Sequence, residues 1–145
     1  WRLVMSSKSP IIGAIQKAEK NSTGEIRVHL SKKFFEKDAF ARANRLFKQF
    51  GMFRTTHRNA VLFYVNLKRK KFAIVGDEGI HQKVGQRYWE EIARELRKDL
   101  IETHPERAIA NAVLKIGKVL EKHFPLEEGA HHQNELKNEF SKDRF

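Results

Sequence analysis

The stretch Arg58-Asn59-Ala60-Val61-Leu62-Phe63-Tyr64-Val65-Asn66-Leu67-Lys68-Arg69-Lys70-Lys71-Phe72-Ala73-Ile74-Val75-Gly76 decides the fold. Residues 60–65 and 72–75 are almost continuously apolar, the pattern of strands covered on both faces. The short charged segment between them, residues 66–71, reads as a hairpin connection, so the two strands run antiparallel. Upstream, residues 25–30 alternate strictly. Ile26, Val28 and Leu30 fall on one side and Glu25, Arg27 and His29 on the other, which predicts a strand with one polar face. A helix over about 38–50, with Ala39, Ala43, Leu46, Phe47 and Phe50 inward and Gly51 as its stop, joins that strand to 60–65. A strand–helix–strand connection of this kind makes the two strands parallel.

Further outward the chain is helical. Ser9-Pro10 opens a helix that carries Ile11, Ile12, Ile15 and Ala18 and stops at Asn21-Ser22-Thr23-Gly24. A long helix over about 80–102 carries Val84, Trp89, Ile92, Leu96 and Leu100, with Tyr88 and Trp89 as core anchors. Pro105 starts another, with Ile109, Val113, Ile116 and Leu120, ending near Phe124. The order α-β-α-β-β-α-α predicts an α/β sandwich: a small mixed sheet of three to four strands flanked by helices. Residues 1–8 are set aside as an unstructured or added start, 9–125 form the domain, and 126–145 read as a flexible tail.

Composition bounds the chemistry. The chain has 145 residues, 40% of them hydrophobic, enough for one domain with a real core. Cysteine is absent, which excludes disulfides, zinc ribbons and thiol nucleophiles. No apolar run approaches the roughly 18 residues of a membrane span. The chain opens on Trp1 rather than Met, as a truncated or processed product would. A soluble, cytoplasmic monomer is expected. The formal charge is +11. Residues 126–145 hold five acids against three bases, so the body 1–125 carries about +13, which invites an anionic partner. Lys68-Arg69-Lys70-Lys71 and Lys32-Lys33 are the candidate nucleic-acid contacts, but no recognition module accompanies them, so nucleic acid is not the favoured partner.

Topology supplies the site. The strand 72–75 ends at the edge where the other two strands begin. That rim collects Glu25, Arg58, Asn59 and Gly76-Asp77-Glu78-Gly79. Oxygen ligands on glycine-containing loops suit a hard divalent cation, Ca²⁺ or Mg²⁺. The plainer arrangement has Asp77 capping the next helix, Glu25 paired with Arg58, and Glu78 solvated. His131-His132 in the tail make a poor transition-metal site as two adjacent residues alone.

At these residues the sequence resembles the TPM domain family over residues 11–125. The likeness rests on Gly24-Glu25-Ile26-Arg27-Val28, on Arg58 to Val65, on Arg69 to Ile80, and on the block Ala108-Ile109-Ala110-Asn111-Ala112-Val113-Leu114-Lys115-Ile116-Gly117. The family is known from bacterial proteins often tied to membranes and from a thylakoid-lumen protein. The resemblance implies an α/β sandwich of Rossmann-like appearance with a divalent-metal site, commonly Ca²⁺. It also implies acid phosphatase activity in the plant branch. Carried over by position, the metal residues are Glu25, Asn59, Gly76, Asp77 and Glu78. One departure stands out: the family's usual Asp-Asn-Gly is here Arg58-Asn59-Ala60.

Three functions follow as expectations. The favoured one is a metal-stabilised module that binds a protein or an anionic membrane surface. The second is metal-dependent phosphate-monoester hydrolysis, with Asp77, Glu78, Arg58 and His81 as candidate catalytic residues. There Arg58 would steady the anion and His81 shuttle the proton. The third is a basic anion- or nucleic-acid-binding domain.

Overall fold

The computed structural model describes residues 9–36, 38–135 and 140–143. Its elements are α1 (Pro10–Glu19), β1 (Glu25–Ser31), α2 (Ala39–Gln49), a 3₁₀ turn (Met52–Arg54), β2 (Ala60–Asn66), β3 (Lys71–Gly76), α3 (Glu78–Glu102), α4 (Pro105–His123) and β4 (Phe140–Lys142). The four strands form one open mixed sheet in the order β3-β2-β1-β4. β1 runs parallel to β2, with Glu25 opposite Ala60 and Ser31 opposite Asn66, and β3 is antiparallel to β2. The α/β sandwich predicted from the apolar pattern is what forms.

The two faces of the sheet bury different things. Ile26, Val28, Leu30, Val61, Phe63 and Val65 pack against α1, α3 and α4. On the other face Ala60, Leu62, Tyr64, Ala73 and Val75 meet Ala43, Leu46 and Phe47 of α2. β2 is buried at every residue because it has helices on both sides, which is why its sequence is continuously apolar. Ser9 caps α1 through the Ile11 N–H at 3.2 Å, with Pro10 in the first turn, and Asp38 caps α2 through Phe40 and Ala41. α3 starts at Glu78 and breaks at Gly85, whose φ of 77° lies outside helical space.

β1 departs from the simplest reading of its pattern. All seven of its residues are buried, including Glu25, Arg27, His29 and Ser31. The polar face is therefore not turned to water but covered by the chain's own polar groups. The cover comes largely from the segment after α4, read from its composition as a tail. There β4 adds to β1 in parallel, with Val28 opposite Phe140 and Leu30 opposite Lys142. An edge pairing through backbone and polar side chains leaves no apolar period to read.

Candidate functional site

The rim forms where β1 and β2 begin and β3 ends. Arg58, in left-handed backbone conformation at φ 51°, turns the chain into β2. Its guanidinium forks onto Asp77, with Nε to Oδ2 at 2.7 Å and Nη2 to Oδ1 at 2.8 Å, and reaches Glu78 at 3.4 Å. Its carbonyl accepts from the N–H groups of Gly79 and Ile80. Asp77 also accepts from the Glu78 N–H, so it caps α3. Gly79 is required here: a Cβ would lie 2.1 Å from the His57 carbonyl oxygen. Asp77 and Glu78 thus already face a cation, the one the sequence supplies at position 58.

Asn59 donates to Thr23 Oγ1 at 2.9 Å, and its buried Oδ1 has no hydrogen-bond partner among the described residues. Gly76 lets Trp89 close over the end of β3, since a Cβ would meet the indole at 2.3 Å. The Trp89 indole donates to His81 Nδ1 at 3.1 Å, so His81 is held by α3 itself.

Glu25 turns away from Arg58. Its carboxylate accepts from the Glu135 N–H and lies beside Glu19 and His132. Glu19 and Glu25 are each 1% exposed. Glu19 Oε2 accepts from the Ile26 N–H at 2.7 Å, which pins it to the start of β1. His132 Nε2 stands 3.7 Å from an oxygen of each carboxylate, and its Nδ1 donates to the Ser22 carbonyl at 2.7 Å. With Nδ1 donating there, Nε2 lies among oxygens alone, 3.1 Å from Asn134 Oδ1 as well as near the two carboxylates, and can meet them through an N–H or through a metal ion. Burial pushes the Glu25 carboxyl above its usual range, against the lowering influence of the Glu135 N–H, His132 and Glu19. Two buried carboxylates side by side call for positive charge, which shared protons, a His132 imidazolium or a metal ion could supply. An open hollow of about 300 Å³, lined by Thr23, Thr56, His57, Leu126, His131 and Glu135, lies alongside.

The polar stripe continues down β1. Arg27 lies over the Phe50 ring, 3.3 Å from its centroid, and donates to Ser141; burial lowers its guanidinium to about 10. His29 places Nδ1 2.8 Å from Ser141 Oγ and Nε2 2.8 Å from Asp143 Oδ1. Burial lowers the imidazole, against the opposing pull of Asp143. Asp143 also accepts from Ser31 and from both terminal nitrogens of Arg42, at 3.0 and 2.9 Å. Burial alone would raise its carboxyl, but the hydrogen bonds from Arg42, Ser31 and His29 hold it well below the carboxylate range.

Glu19, His132, Arg42 and Asp143 lie outside the expected site residues. Glu19 did leave a signal: with Ile11 and Ile15 it sits on the i, i+4, i+8 stripe of α1, a carboxylate on an apolar face. His132 left none.

The TPM domain family model matches residues 3–119. Among solved structures, the BA42 protein from the psychrophilic bacterium Bizionia argentinensis is 33% identical, with TM-score 0.85 over 98% of this chain and 97% of that one. The N-terminal domain of a protein from P. gingivalis shares the fold at 14% identity and TM-score 0.69, covering 90% of this chain and 82% of its own. The N-terminal domain of a Corynebacterium glutamicum protein does so at 14% and 0.64, covering 89% and 84%. No curated protein matches the chain.

Proposed function

The chain belongs to the TPM domain family, and from that premise we propose that it is a binding module stabilised by a divalent cation held at Glu19, Glu25 and His132. The observation that carries this reading is the His132 imidazole. Its Nδ1–H is committed to the Ser22 carbonyl, and its Nε2, 3.1 Å from Asn134 Oδ1, also faces two buried carboxylates at 3.7 Å. A backbone carbonyl that fixes the ring so that the other nitrogen points at acidic ligands is the usual outer support of a metal-binding histidine.

The donors fit a cation here and not at Asp77 and Glu78, where the Arg58 guanidinium supplies the counter-charge. Ca²⁺, the expectation from an oxygen-only rim, gives way in preference to Zn²⁺ or Mn²⁺ because the set includes a nitrogen. When bound, the ion would neutralise the carboxylates and tie residues 132–135 to the start of β1. Phosphate-ester hydrolysis has less support, since the carboxylates nearest Arg58 are engaged in an ion pair and a helix cap.

Thermal melting of chelator-treated protein tests the proposal. A cation at about 100 times its Kd adds about 2.7 kcal/mol, which raises Tm by roughly 5–10 °C for a domain this size. Glu25→Gln should abolish that rise. A melting curve indifferent to Zn²⁺, Mn²⁺ and Ca²⁺ alike would refute the site.

A further inference from the structure

At the opposite end of β1 from Glu25, a different surface takes shape. Ser31 and Asn66 are register partners, so the loop after β1 and the β2–β3 turn leave the sheet side by side. Asn66, fully buried, clips them together: its Nδ2 donates to the Lys33 carbonyl and its Oδ1 accepts from the Arg69 N–H, both at 2.9 Å. On this fixed base stand Phe34, 53% exposed, and Phe35, 93% exposed. Lys32, Lys33, Lys68, Arg69, Lys70 and Lys71 are exposed on the same two segments. No acid lies within residues 67–71, and within 32–36 the single acid, Glu36, is buried against Tyr64.

We propose that this tip docks on an anionic lipid bilayer, with Phe34 and Phe35 entering the headgroup–acyl boundary and these cations meeting lipid phosphates and carboxylates. The reading goes beyond the cation site and does not depend on it. Two features favour a bilayer over a nucleic acid, which would also welcome cations and rings. The two phenyl rings meet edge to face at 79°, which offers no parallel platform for successive bases. Lys68 and Arg69 already lie over the Phe34 ring, 5.8 and 5.4 Å from its centroid. Two exposed hydrocarbon rings gain nothing from water and much from an interface. Apolar insertion and a basic cluster are each weak anchors alone and effective together.

The test is co-sedimentation of the full chain with sucrose-loaded vesicles of phosphatidylcholine, alone or mixed with phosphatidylserine. The chain should pellet with the mixed vesicles on the order of tenfold more strongly than with phosphatidylcholine, and salt should release it. The double variant Phe34→Ser/Phe35→Ser should bind roughly tenfold or more weakly with an unchanged far-ultraviolet spectrum, and Lys68→Glu/Arg69→Glu should also weaken binding. The proposal is overturned if the chain stays in the supernatant with mixed vesicles. It is equally overturned if the phenylalanine variant binds as well as wild type, which would mean plain electrostatic adsorption. Phenylalanine-dependent binding to a single-stranded oligonucleotide without vesicle binding would assign the tip to nucleic acid instead.

Discussion

Replacing Asp143 by alanine should cost about 3 kcal/mol of folding stability, although the residue lies two positions from the end of the chain. Its carboxylate accepts from Arg42, Ser31 and His29, and the Asp143 and Arg42 side chains are only 12% and 11% exposed. Breaking a buried pair by removing one partner costs about 3–5 kcal/mol, because the other charge remains in a poor solvent. The lower end applies here, since β4 is three residues long and its loosening lets water reach Arg42. For a domain of this size the loss lowers Tm by roughly 6–12 °C. Urea denaturation measures it, and a double-mutant cycle with Arg42→Met should return a coupling of about 2 kcal/mol or more. The pH dependence has a definite sign. Asp143 is depressed in the folded state, so its contribution is present above the unfolded value near 4 and is lost as pH falls through the lower folded value. The gap between wild type and Asp143→Asn should therefore narrow below about pH 4. A stability within about 0.5 kcal/mol of wild type, with no pH dependence, would show an ordinary surface pair and refute the reasoning.

Other expectations follow from the rim and the buried carboxylates. Gly79→Ala should destabilise by about 2–4 kcal/mol in urea denaturation, because the new Cβ meets backbone carbonyls that the start of α3 cannot clear. Arg58→Gly should leave the urea midpoint close to that of wild type: the lost ion pair, on a side chain 41% exposed, is offset by relief of its left-handed backbone. Glu25 carries the opposite pH sign to Asp143. Its carboxyl is raised on folding, so in metal-free protein its favourable contribution is full below the unfolded value and lost as pH rises through the folded one. Metal-free Glu25→Gln should accordingly gain stability over wild type progressively as pH rises above the unfolded carboxylate value near 4, in paired thermal melts.

The sheet was legible because its information is apolar and local. The continuous runs at 60–65 and 72–75 and the intervening helix left one economical topology, and the structure adopts it. The same reasoning correctly gathered Arg58, Asn59 and Asp77 at one edge, because strand direction alone decides which loops meet. It did not decide the pairing within the edge. Arg58 chose Asp77 over Glu25, since the capping carboxylate at the start of α3 presents both oxygens to the guanidinium. The polar alternation Glu25-Arg27-His29 was legible as a polar face but not as a buried one. Period-two patterning distinguishes two faces; it does not say whether water or distant polar residues satisfy the polar one. Here the partners Ser141 and Asp143 lie more than 110 residues away and carry no periodic signal.

The central claim is that Glu19, Glu25 and His132, rather than Asp77 and Glu78, form the cation site. Amide-resolved NMR of the chelator-treated chain titrated with Zn²⁺ tests it most directly. The account predicts that Ser22, Glu25, Ile26, His132 and Glu135 shift together with one midpoint, because their backbone groups belong to or support the ligands. Arg58, Asp77 and Glu78 should hold their positions. Shifts confined to Asp77 and Glu78, or none at any of these amides, would contradict it.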